Sequence, residues 1–79
     1  MDRISVRDDQ GKYTGWFDYD ASRVVANGYK DGKRYWRMVR KTAGGKYVLV
    51  HCSAYSDEKF QYEFIDADTA AQILAEIES

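Results

Sequence analysis

"KRYWRMVRK", residues 33–41, and "KYVLVHCS", residues 46–53, flank "TAGG", residues 42–45, and this stretch decides the fold. Two runs rich in β-branched and aromatic residues, joined by a short connection that ends in Gly44 and Gly45, predict an antiparallel hairpin, because glycine supplies the positive φ that such turns need. In the second run Val48, Val50 and Cys52 fall on one face and Tyr47, Leu49 and His51 on the other. A strand that is apolar on both sides belongs in the middle of a sheet.

Toward the N-terminus, "RISVR" (3–7) alternates with Ile4 and Val6 on one face, and "DDQG" (8–11) turns the chain into "KYTGWFDY" (12–19), a further hairpin. The next segment, residues 18–33, is ambiguous. Asp20 or Ser22 can cap one helical turn, Val24 and Val25 can equally lie in a short strand, and the stretch reads as an irregular crossing. Toward the C-terminus, "KFQYEFI" (59–65) alternates again, with Phe60, Tyr62 and Phe64 facing one way and Gln61 and Glu63 the other. Asp66 then stands as a helix N-cap, with Asp68 at the positive end of the dipole and Ile65 and Ala70 at staple positions. Ala70, Ile73, Leu74 and Ile77 form one apolar stripe, leaving Gln72, Glu76 and Glu78 outside it. The expected fold is therefore α+β: a four- or five-stranded antiparallel sheet with one C-terminal helix packed on one face, the helix lying on Phe60, Tyr62 and Phe64.

The 79 residues make one domain, and staples are scarce: Cys52 has no internal partner, and His51 has no companions with which to complete a zinc site. No cofactor or metal is expected. Two Trp, seven Tyr and three Phe supply the large buried areas so short a chain needs. No signal-like run or membrane span is present, so the chain reads as cytoplasmic, a monomer or homodimer with no membrane partner.

Net charge is −1, unevenly spread. Residues 30–46 carry Lys30, Lys33, Arg34, Arg37, Arg40, Lys41 and Lys46 against Asp31; residues 57–79 carry seven acids against Lys59. Overall charge predicts no general affinity for nucleic acid, whereas local fields of either sign remain open. On a regular strand Arg34, Trp36, Met38 and Arg40 share a face, with Tyr35, Arg37 and Val39 opposite. An aromatic between two guanidinium groups suits an anchor in a partner's pocket or stacking on bases; the plainer reading is that Trp36 and Met38 are core and the Arg stems run over its edge. The basic side chains themselves are expected to be exposed. The face away from the helix holds Tyr13, Trp16, Tyr19, Tyr29 and Trp36, either accessible or covered by residues 20–32. His51 and Cys52, adjacent in a strand, point apart and form no catalytic pair; no acid–base, nucleophile or metal constellation assembles, so the chain reads as a non-enzyme. The acidic C-terminal third is either a solvated helix or a mimic of phosphate charge.

"GWFDYDASR" (15–23), "VRKTAGGKYVL" (39–49) and "YEFIDADTAAQIL" (62–74) resemble, in that order, a group of short phage- and plasmid-type bacterial proteins. These carry a Gly-Trp-Phe opening, a Leu-Tyr-Arg-Thr … Gly-Arg-Trp-Val-Leu hairpin, and a Tyr-Glu-x-Ile segment running into an Ala-x-x-Trp-Leu helix. The likeness spans about half the chain, and its specificity lies in the three pieces occurring in register. Val39 and Arg40 stand where the group has Leu-Tyr, Tyr47 where it has Trp, and Ile73 where it has the helix Trp; only Arg40 departs from an apolar plan. Several small anti-CRISPR proteins look similar in size and composition. The resemblance implies a mobile-element habitat, and the leading expectation is a non-enzymatic inhibitor acting by protein–protein contact, most concretely an anti-CRISPR-type protein that binds a CRISPR–Cas effector subunit and blocks target DNA recognition. The partner-binding residues expected of it are Lys33, Arg34, Trp36, Arg37, Arg40 and Lys41. The alternative is a small single-stranded nucleic-acid-binding protein using the same basic, aromatic strand.

Overall fold

A computed structural model describes residues 3–8, 10–30 and 34–78, and of Tyr29, Lys30 and Glu78 the backbone alone. The fold is α+β. In chain order it runs β1 (Arg3–Arg7), β2 (Tyr13–Asp18), β3 (Arg23–Lys30), β4 (Tyr35–Lys41), β5 (Tyr47–Ser53), β6 (Gln61–Ile65) and the helix α1 (Ala67–Glu78). The strands divide into an antiparallel four-stranded sheet, β3-β4-β5-β6, and a separate two-stranded hairpin, β1-β2. β5 is central, as its two-sided apolar pattern required, and both of its faces are covered.

One face packs under the β1-β2 hairpin. Val6 and Phe17 from the hairpin close on Met38, Val48, Val50 and Cys52, with Ile4, Tyr19, Trp36, Tyr62 and Phe64 around them. Gly15 makes this approach possible, since a Cβ there would lie 2.9 Å from the Phe64 ring. On the other face, α1 sets Ala70 and Ile73 against Ala26, Val39 and Leu49, with Tyr47, Ile65, Leu74 and Ile77 at the border. The helix thus does not lie on Phe60, Tyr62 and Phe64. Successive residues of a strand face opposite ways, and it is Ile65, paired with Tyr47, that stands in phase with the helix-bearing face; Phe64 and Tyr62 pair with Val48 and Val50 and face the hairpin. Gly28 lets the end of the helix settle onto β3, because a Cβ there would sit 2.8 Å from Ile77 Cγ2.

The segment that reads as an irregular crossing is largely a strand. β3 pairs with β4 from Arg23↔Lys41 to Lys30↔Tyr35, with a register shift between Val24 and Ala26. Within the described residues β3 extends the sheet beyond β4; the hairpin covers the sheet around Trp36 and Tyr19, while Tyr13 and Trp16, on the hairpin itself, stay exposed. The helix N-terminus is as the sequence implies: the Thr69 N–H donates to Asp66 Oδ1 at 2.7 Å. Hydrogen bonding from the Thr69 side chain, and then from its backbone N–H, holds the exposed Asp66 carboxyl below its ordinary value. Among the described residues no helix is long and apolar enough to cross a membrane.

Candidate protein-contact surface

β4 was expected to present Arg34, Trp36, Met38 and Arg40 on one face, and the register places Trp36 against Cys52, Met38 against Val50 and Arg40 against Val48. That face closes progressively under the hairpin. Arg34 is exposed, Trp36 is half-buried, and Met38 and Arg40 are buried. Arg40, at 8 % exposure, is therefore no docking residue. Its Nε donates to Ser22 Oγ at 2.7 Å and its Nη2 to the carbonyls of Tyr19 and Ser22, while its guanidinium lies 3.9 Å from the centre of the Tyr19 ring. The cost of burying the cation is offset by oxygens that the β2–β3 connection wraps around it and by the Tyr19 π-face.

The other expected anchors are also dispersed. Arg37 points to the helix face and pairs with Glu76 of α1. Lys41 is half-buried with its ammonium 5.5 Å from the Tyr47 ring centre. Lys33 lies outside the described residues. Of the set, Arg34 and Trp36 stay together at an accessible place, the end of the sheet where β4 begins.

At that end the structure adds three aromatics. The Ala54 N–H donates to the Arg34 carbonyl at 2.9 Å, which brings the connection 54–60 alongside the start of β4. Phe60 meets Trp36 edge-on, with ring centres 6.0 Å apart at 81°. Tyr55 meets Tyr35 at 5.7 Å, and the Tyr35 hydroxyl donates to Glu58 Oε1. Tyr35, Tyr55 and Phe60 remain 36 %, 40 % and 36 % exposed. The connection is tied locally, by the Tyr55 N–H to Ser53 Oγ and the Glu58 N–H to the Tyr55 carbonyl. Two ring pairs, one on each face of the sheet, thus frame Arg34. A sequence signal for them existed in two aromatics, Tyr55 and Phe60, within an otherwise polar connection.

The remaining candidates separate. His51 is exposed, with Nε2 3.2 Å from Glu63 Oε1, whereas Cys52 is buried on the opposite face. Burial pushes the Cys52 thiol up to about 11, so it is protonated at neutral pH. Among the described residues no group of three or more His, Cys, Asp or Glu is placed to hold a metal ion. The acids of the C-terminal third are partly engaged within the molecule: Glu58 with Tyr35, Glu63 with His51, Asp66 as the helix cap and Glu76 with Arg37. No family model, no curated protein and no solved structure matches the chain.

Proposed function

We propose that this protein acts by non-covalent contact with another protein through the aromatic end of its sheet, Arg34, Tyr35, Trp36, Tyr55 and Phe60, and that it is an inhibitor of the anti-CRISPR type implied by its resemblance, occluding a CRISPR–Cas effector subunit. The observation that carries the contact reading is the pair of preformed ring contacts around an exposed arginine. Aromatics and arginine are the residues that dominate binding energy at protein interfaces, and rings already held in place lose little conformational freedom on docking. The inhibitor role rests on the resemblance, and the protein partner is supported over nucleic acid at this site because Arg37 and Arg40 are engaged inside the fold.

The test is interference in cells. The chain is expressed in strains that each carry an active CRISPR–Cas system with a spacer against a phage, and plaquing efficiency is measured. The reading expects plaquing to be restored in at least one system by the native chain and lost with Arg34→Glu/Phe60→Ala. Absence of restoration across the panel, with the protein soluble and folded in those cells, rejects the anti-CRISPR role.

A further inference from the structure

We infer that the outward face of the β1-β2 hairpin is a stacking platform for single-stranded nucleic acid, separate from the aromatic end. The hairpin buries Val6 and Phe17, half-buries Ile4, and turns three ladder pairs outward: Arg3↔Asp18, Ser5↔Trp16 and Arg7↔Tyr13. The third pair exists because the register shifts between Val6 and Arg7. With Thr14 passed over, Tyr13 comes onto the face that holds Trp16. The consequence is that Tyr13 and Trp16, 51 % and 48 % exposed, are the two most exposed large apolar side chains among the described residues, and they share one surface.

The charges on this face suit the same ligand. Arg3 lies with its guanidinium carbon 4.3 Å from the Trp16 ring centre, and Arg7 Nη1 donates to the Gly11 carbonyl, a contact that leaves its other donors for a ligand. Among the described residues, two acids beside this face are held by backbone N–H groups: Asp8 Oδ1 accepts from Gln10 and Lys12, and Asp18 Oδ1, cross-strand from Arg3, from Asp20. This is the aromatic and basic chemistry that the sequence suggests for β4, where Arg37 and Arg40 are occupied within the fold.

Spacing favours nucleic acid over an acidic peptide. Successive outward rungs of a strand are about 7 Å apart, roughly twice the 3.4 Å rise of a stacked nucleotide. Two rings at that separation hold two bases that are unstacked from each other, with Arg3 and Arg7 about 13 Å apart along β1 to meet the backbone. Every base has a π-face, so such a platform is tolerant of sequence. An acidic peptide would engage the arginines and leave both rings in water.

Fluorescence anisotropy of labelled mixed-sequence DNA and RNA single strands of about ten nucleotides, at about 50 mM and about 150 mM salt, tests this with the full chain. Trp16→Ala and Tyr13→Ala are each expected to weaken binding about tenfold at both salt concentrations. Arg3→Gln/Arg7→Gln should lower the slope of log affinity against log salt by about 1.4, some 0.7 for each lost phosphate contact. Arg34→Glu/Phe60→Ala should leave affinity unchanged, which separates this surface from the protein-contact site. Circular dichroism checks each fold, and the two single aromatic variants report independently. The inference is overturned if about 100 µM protein gives no binding at the lower salt, if both aromatic variants bind as the native chain does, or if a polyglutamate of equal charge competes as well as the oligonucleotide.

Discussion

Gly28 and Ile77 are far apart in sequence yet in contact where the helix ends on β3, so substituting both measures helix placement. A Cβ at Gly28 would lie 2.8 Å and 2.9 Å from Ile77 Cγ2 and Cγ1, closer than carbon atoms pack. Overpacking of that kind costs about 1–3 kcal/mol, reduced by the roughly 0.5–1 kcal/mol gained when a strand glycine becomes alanine. Gly28→Ala should therefore destabilise by at most about 2.5 kcal/mol. Ile77→Ala, at a half-buried position near the end of the helix, should cost about 1–2 kcal/mol, below the range for fully buried aliphatics. In the double variant the branches that the new methyl would strike are gone, so Gly28→Ala on that background should be neutral or slightly stabilising. Urea melts with a common m-value then give a coupling of about 1–2 kcal/mol. Additivity within about 0.5 kcal/mol would refute the placement of α1 against β3, as expected if the helix lay on the Tyr62 and Phe64 face.

Three further outcomes follow from named contacts. Arg34→Glu should shift stability by no more than about 0.5 kcal/mol, whereas Arg40→Glu sets a carboxylate against the Tyr19 and Ser22 carbonyls and should cost more than about 3 kcal/mol, seen as loss of a cooperative thermal transition. Because the Asp66 carboxyl titrates below its unfolded value near 3.8, its capping contribution is present above that pH and lost as pH falls through the depressed folded value; Asp66→Asn should lack that part of the acid loss in melts at neutral and low pH. The Cys52 thiol should resist a thiol-specific chromogenic reagent in the native protein at mildly alkaline pH and react at the rate of unfolding, so fast stoichiometric labelling without denaturant would contradict its burial.

Strong periodic signals made most of the fold legible in the sequence. Alternation marked β1 and β6, the turn at residues 8–11 set off β2, runs of β-branched and aromatic residues around Gly44 and Gly45 marked β4 and β5, and Asp66 marked the start of the helix. β3 was obscured where Val24 and Val25 stand together at the register shift, both exposed, and where Asn27 and Gly28 lower strand propensity. The face taken by the helix was misread because Phe60, Tyr62 and Phe64 form the more apolar side of residues 60–65; the deciding residues are Val39 on β4, Leu49 on β5 and Ile65 at the end of β6. Arg40 was read as exposed because the oxygens that satisfy it come from Tyr19 and Ser22, and proximity across about twenty residues is not written in a local pattern. The aromatic end was half legible: Arg34 and Trp36 stood out by charge and size, but Tyr55 and Phe60 join them only through the pairing of Ala54 with Arg34.

The contact claim is tested most directly by co-purification from cells that carry the CRISPR–Cas system in which plaquing is restored. The native chain, Arg34→Glu/Phe60→Ala and Trp16→Ala are compared at matched expression and matched melting temperature. The account predicts that one effector subunit co-purifies in stoichiometric amount with the native chain and with Trp16→Ala, and is lost with Arg34→Glu/Phe60→Ala. Retention of that subunit by the folded Arg34→Glu/Phe60→Ala variant would contradict the aromatic end as the contact surface.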